Sequence, residues 1–414
     1  MKKLLLWLLM VVLFVAVLLG GAVGVVFASI SEEDLPAETA AFGGVTLENA
    51  GYEWDVPIFG GIFYKNYYQP ANLSVQDLGD FGNERPELVL PDWISQADMT
   101  LTAPDGTVAF QGNAADYAGY TYTQNGQYRL DLTLHQLSED KPARPLGWYL
   151  YQARFNVSFQ PDVELSKTRA SQGEIVALSL TGILGDGKPQ AETDLGTIWF
   201  RQPSGGWMGY IAVPYNCEGG EHTIHITCGD AEMDVTLSVS QTQYGTVTAE
   251  PSEPAPAGAN EEYRNAIWPL YESSEEGKLW SGAFQAPCTG SVLIEYGSVY
   301  MVNGERSGQA TSLTYAAPEG TAVTSPQAGV VVYAGNLALT GGTVVIDHGC
   351  GVKSYLFGLG QVTAQRGQTV AAGDAVGAFG ADANLEYEIR IGNKSADPAK
   401  VIAGQSGLQY RENM

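Results

Sequence analysis

Three polar residues at strand spacing carry the first chemistry in this chain. Asn384, Glu386 and Glu388 alternate with Leu385, Tyr387 and Ile389. A two-residue period places the polar three on one face of a strand. Two carboxylates so placed match the acid–base pair of glycoside hydrolysis, but polar lining of a groove is the more economical reading. Histidine is scarce. His222 and His225, three apart on a β-like run, point to opposite faces and are ordinary strand residues rather than a metal pair. His348, in Asp347-His348-Gly349, reads as structural.

The four cysteines, Cys217, Cys228, Cys288 and Cys350, show no CxxC spacing, which argues against a cysteine zinc site or a thioredoxin-like redox motif. Three disulfide pairings are possible on paper. Cys217 and Cys228 fall too far apart around a Glu218-Gly219-Gly220 turn, so Cys288 with Cys350 is the better candidate pair.

These residues need a β scaffold to position them, and the chain supplies one. Gly is abundant at 50, and Tyr outnumbers Phe, 22 to 13. Short β-branched runs between turn residues favour strands. In 43–161 such runs recur: Met99 to Thr102, Val108 to Phe110, then Tyr120-Thr121-Tyr122 and Tyr128 to Leu132 around a Gln124-Asn125-Gly126 hairpin signal. The pattern predicts a β-sandwich there and a second, immunoglobulin-like sandwich at 162–245. A Pro/Glu-rich linker follows at 246–280, with Tyr263, Ile267, Leu270 and Tyr271 at helical spacing. The rest is a β domain at 281–404 and a tail at 405–414.

Residues 4–30 contain no charge, and about 20 apolar residues suffice to cross a bilayer. Lys2 and Lys3 precede the run and Glu32, Glu33 and Asp34 follow it. A retained single-pass anchor over 1–30, with its start cytoplasmic and the bulk of the chain extracytoplasmic, is therefore expected, followed by a spacer at 31–42. The competing reading is a signal peptide cleaved near Val26-Phe27-Ala28, but such apolar regions are usually only about 7–15 residues long. The formal net charge of −25 repels phosphate backbones and excludes a nucleic-acid role. No closely spaced Asp/Asn loop suggests calcium.

The order of phrases across 281–404 resembles the LytM-type (M23) peptidoglycan endopeptidase domain, a duplicated hybrid motif fold. Those phrases are Phe284-Gln285-Ala286-Pro287 with Gly290-Ser291-Val292, the run from Ala316 to Val323, Gly351 through Leu359, and Tyr387-Glu388-Ile389. The resemblance implies a compact antiparallel β structure with a long cleft. It also implies that the family's zinc ligands correspond here to Ala310, Thr314 and Glu386, and its catalytic histidines to Gly358 and Asn384. A catalytic zinc needs three protein ligands and an open position for water, and it lowers the pKa of that water to about 7. Ala310 and Gly358 offer no donor atom, and Glu386 alone cannot hold the ion.

The reading that follows is a membrane-anchored, mainly β envelope protein, not an enzyme and without a cofactor. Its degenerate domain would bind peptidoglycan or a partner protein, in a scaffolding or regulatory role in wall hydrolysis, division or sporulation. Thr314, Asn384, Glu386 and Glu388 are the candidate groove residues. One alternative is an active zinc endopeptidase with relocated ligands. Another is a wall-binding spacer or adhesin acting through the sandwiches.

Overall fold

The computed structural model describes residues 2–411 apart from Glu38, Leu73, 139–144, Asp186, 203–205, Asp230, Ser252 and Asp382; the last three residues of the 405–414 tail thus lie outside the described residues. The chain is mainly β, with an apolar helix at its start, and divides into two compact units, 1–159 and 160–414.

The first unit begins with helix α1, Lys2–Ser29. Its segment Leu6–Ser29 is long and apolar enough to cross a membrane. A seven-stranded sheet follows, with Gly126–Leu137 and Pro145–Val157 as its longest strands. Tyr128, Leu130, Leu132 and Leu134 all turn to one buried face, as the two-residue period requires. Phe42, on a small three-stranded sheet, packs on Phe155 with ring centroids 4.9 Å apart.

Tyr120-Thr121-Tyr122, expected as one arm of a hairpin, is not a strand. Tyr122 is buried, with its hydroxyl 2.8 Å from that of Tyr117. The Asn125 amide is tied in both directions to the Phe159 backbone. Burial of these aromatic rings by a wrapped loop outweighs strand pairing, and Asn125-Gly126 serves as the entry to Gly126–Leu137.

The second unit opens with two facing sheets. One holds Asp162–Leu165, Ile175–Thr181 and Trp207–Ala212; the other holds Arg169–Ser171, Gln190–Glu192, Gly220–Cys228 and Ala231–Ser240. Strand Ile175–Thr181 shows no exposed side and is an unbroken apolar run at its start. Val176, Leu178 and Leu180 enter the core between the two sheets. Ile175 and Ala177 enter a second core with Trp280, Phe284, Leu356 and Tyr387. The first sheet is therefore covered on both faces, and 160–245 shares a continuous interior with the segment that follows it.

That following segment is built on an eight-stranded sheet. Its strands are β1 (Ser291–Ile294), β2 (Leu313–Ala316), β3 (Gly329–Leu337), β4 (Gly341–Asp347), β5 (Val352–Leu359), β6 (Thr369–Val370), β7 (Asn384–Ile391) and β8 (Lys394–Ala396). The spatial order is β1-β2-β7-β5-β4-β3-β6, with β8 on β7. Helix α2, Ala259–Tyr271, packs on this sheet through Tyr263, Ile267, Leu270 and Tyr271.

All four cysteines are free thiols, so Cys288–Cys350, the better candidate among the three possible pairings, is not formed. Cys350 lies in the core at 1% exposure, with its Sγ 3.8 Å from the Glu276 carbonyl. Burial pushes its thiol up to about 11 and raises the other three as well.

Candidate functional site

Register brings the expected site residues to one region of the sheet. Glu386 on β7 stands between Thr314 on β2 and Phe357 on β5, and Asn384 pairs with Ala316. Leu385, Tyr387, Ile389 and Ile391 fill the core. Asn384, Glu386, Glu388 and Arg390 therefore share the opposite face.

These side chains are unequally open. Asn384 and Glu386 are exposed, whereas Thr314 and Glu388 are 5% exposed. Surrounding protein raises the Glu386 carboxyl, and the nearby Glu388 charge adds to this, while a hydrogen bond with Ser312 opposes it. Glu388 is engaged internally: it accepts from Thr311 Oγ1 and from Arg390 Nε, the latter at 2.5 Å. The Arg390 guanidinium lies over Tyr271 at 5.3 Å from the ring centroid. Of the four candidate groove residues, only Asn384 and Glu386 thus line an open surface.

A segment with no local site signature closes the other half of this face. Helix α2 lays Ile267, fully buried, against Leu337, Val345, Tyr355 and Phe357. Tyr263 meets Phe357 and Tyr271 meets Tyr355, with ring centroids 6.3 and 5.9 Å apart. Past its end the chain is clamped by Asp347. That carboxylate accepts from Ser274 Oγ at 3.2 Å and from the backbone amides of Glu275 and Gly349 at 3.1 and 2.8 Å. It also pairs with Lys353 Nζ at 3.2 Å, the two side chains being 3% and 2% exposed. Lys353 in turn donates to the Ser273 carbonyl. Burial lowers the Lys353 ammonium and Asp347 counters this. In sequence, the signal was a lysine at the start of the apolar run from Val352 to Leu359.

Gly358 and Ala310 are locked into backbone packing. Gly358 has φ +82, and its N–H donates to the Thr340 carbonyl at 2.9 Å. A Cβ built there would lie 2.2 Å from the Asn384 carbonyl oxygen. Ala310 is 3% exposed, donates to Ser298 and accepts from Gly297, both at 2.9 Å. Neither residue has a side-chain donor atom, and with Ala310 among the ligand positions, Ala310, Thr314 and Glu386 do not fit the three-ligand requirement of a catalytic zinc. Among the described residues, no three His, Cys, Asp or Glu side chains cluster so as to hold a metal ion.

The histidines each have a local partner. His222 Nδ1 lies 2.8 Å from Asp194, and His225 Nδ1 lies 2.7 Å from Asp234. His348 is fully buried, with Nδ1 2.8 Å from the Ala328 carbonyl and Nε2 2.8 Å from Ser354 Oγ. The carbonyl can only accept, so Nδ1 carries the proton and Nε2 accepts from the serine. Burial pushes the imidazole down to about 4 from 6.5. Between those two values the unfolded chain binds the proton and the folded chain does not. The His348 contribution, roughly 3 kcal/mol, is therefore complete above about pH 6.5 and is lost as pH falls through about 4. We expect ¹³C-histidine NMR to show this ring neutral at pH 5.5 while His225, raised by Asp234, is protonated. Titration of the His348 ring near 6.5 would contradict the assignment.

Residues 308–398 match the model for Peptidase family M23. Among solved structures, the chain is similar to an M23 peptidase from Pseudomonas aeruginosa at 20% identity, covering 57% of this chain and 95% of that one, with a TM-score of 0.44. It is similar to the catalytic domain of the prophage-encoded M23 protein EnpA from Enterococcus faecalis at 25% identity, covering 30% and 97%, with a TM-score of 0.24. A chain of the SpoIIQ–SpoIIIAH pore-forming complex matches at 18% identity, covering 31% and 92%, with a TM-score of 0.26.

Proposed function

Starting from an M23-type domain at the C-terminal end of the chain, we propose that this domain no longer hydrolyses and instead grips an extended peptide. The peptide belongs either to peptidoglycan or to an envelope protein. The observation that carries this reading is Gly358: it has no side chain, and the Asn384 carbonyl occupies the space where one would begin. Ala310 likewise offers only a methyl group, leaving Glu386 as the one strong donor among the three ligand positions. A single carboxylate holds zinc too weakly to generate hydroxide at neutral pH.

The cover formed by α2 supports the same reading. It leaves a shorter open surface around Asn384 and Glu386, suited to gripping a strand or loop. Helix α1 would anchor the protein, with Lys2 and Lys3 on the cytoplasmic side and the acidic residues 32–34 outside.

The test uses the full-length chain in detergent, chelated and then loaded with zinc. We expect no released muropeptides from purified peptidoglycan under either condition. We also expect the chain to cosediment with peptidoglycan, or to be retained by an envelope protein, and a Glu386→Lys/Asn384→Lys double variant to lose that binding. Zinc-dependent cleavage that Glu386→Gln abolishes would overturn the proposal in favour of an active peptidase. Binding that survives the double variant would move the binding function to the other sheets.

A further inference from the structure

A cleft of about 890 Å³ opens beside the end of α2. Its lining includes Glu192, Asp194 and Thr197, then Trp268, Tyr271 and Glu272 at the end of α2, and Lys394. This volume falls within the range of ligand sites, about 300–1,000 Å³. Trp268 is the conspicuous residue. It is 54% exposed, on a helix whose neighbouring ring residues Tyr263 and Tyr271 are packed onto the sheet. An indole left open to water beside a cleft marks a contact surface better than a core position.

The lining is also prearranged. Asp194 is held by His222 Nδ1 at 2.8 and 3.0 Å from its two oxygens. The stem of Lys394 runs against Gly196, where a Cβ would lie 2.9 Å from Lys394 Cγ. The lining thus combines aromatic rings with hydroxyl and carboxylate oxygens.

We propose that this cleft binds a short oligosaccharide, with a pyranose ring on the Trp268 indole and its hydroxyls on Glu192, Asp194 and Thr197. The flat faces of a pyranose carry weakly positive C–H bonds, which the negative face of an indole attracts. Its rim carries hydroxyl donors, which carboxylates accept in charge-assisted hydrogen bonds. A cationic ligand, which Glu192, Asp194 and Glu272 would attract, meets competing positive charge here. The Arg264 guanidinium already lies 5.8 Å from the centroid of the Trp268 ring. Asp194 is engaged by His222, and Lys394 adds positive charge to the lining. The site is separate from the Asn384–Glu386 surface, so either assignment stands or falls without the other.

The test titrates chitotetraose and cellotetraose into the full-length chain in a zwitterionic, sugar-free detergent, read by calorimetry and tryptophan fluorescence. We expect one of the two to bind with a millimolar or tighter Kd, about −4 kcal/mol or better. Trp268→Ala should weaken binding at least tenfold, Trp268→Phe should retain part of it, and Glu192→Gln should weaken it several-fold. Glu305→Lys, at an exposed position outside the cleft lining, should leave it unchanged. No binding of either sugar up to ~10 mM, or undiminished binding by Trp268→Ala, would overturn the proposal.

Discussion

Asp347→Ala is expected to lower the stability of the second unit by about 3–5 kcal/mol, the usual consequence of leaving one member of a buried ion pair alone. The lysine left behind is the source of this effect. Lys353 is 2% exposed at its side chain, and its other hydrogen-bond acceptor is the Ser273 carbonyl. An ammonium there must either stay charged without its counter-ion or give up its proton, and both are costly in a dry site. The same substitution frees Ser274 Oγ and the Glu275 and Gly349 amides. The segment behind α2 thus loses its clamp at the same moment.

The reverse substitution should be milder. In Lys353→Met the carboxylate keeps three donors from Ser274, Glu275 and Gly349, and an apolar side chain of similar length fills the space. Thermal unfolding of the full-length chain measures both. For a unit of this size, about 2–4 °C per kcal/mol predicts a fall of about 10 °C for Asp347→Ala and a clearly smaller one for Lys353→Met. Hydrogen exchange should show α2 losing protection first in Asp347→Ala. Equal effects of the two substitutions would show that the pair acts through packing alone.

Periodicity made part of this molecule readable from its residues. The alternation from Asn384 to Ile389 placed three polar side chains on one face, and the register agrees. The spacing of Tyr263, Ile267, Leu270 and Tyr271 marked an amphipathic helix, and those four residues are the ones that pack. What periodicity could not supply was the destination. A helix stripe states that something apolar must cover it, not which sheet does so. Glu388 therefore read as open groove lining, although α2 and Arg390 withdraw it from solvent. Ile175 to Leu178 shows the same limit in reverse. An unbroken apolar run signals burial on both faces, but only the fold reveals that the second covering layer is the M23-type segment.

The cysteines failed for a different reason. Shared membership of one β domain made Cys288 and Cys350 a reasonable pair, but disulfide geometry depends on Cβ positions that no linear spacing encodes. Tyr120 to Tyr122 failed because strand propensity describes a half-buried pleated surface. Tyr122 is buried, and Tyr120 half-buried, by ring-on-ring packing in a loop instead. Both cases are three-dimensional decisions made by residues far apart in the chain.

Gly358→His is expected to destabilise the second unit by about 4 kcal/mol, combining backbone strain of about 1–3 kcal/mol with overpacking of similar size. With φ at +82, Gly358 occupies a backbone region that side chains disfavour. The added Cβ would then meet the Asn384 carbonyl at 2.2 Å. That neighbour is backbone at the start of β7, paired with Ala316 of β2, and it can retreat only by disturbing that pairing. A surface loop would absorb a histidine, but this position cannot without moving the sheet. Gly358→Ala separates the two sources of cost. It introduces the same Cβ without an imidazole and should already produce most of the loss. Thermal unfolding of the full-length chain should show both variants about 10 °C below wild type. A Gly358→His protein as stable as wild type would mean that β5 can accept a histidine at this position without rearrangement. The strongest physical reason for assigning the domain to binding rather than hydrolysis would then be gone. If both variants are destabilised as expected, placing a histidine here would require rebuilding the backbone between β5 and β7, not only exchanging side chains.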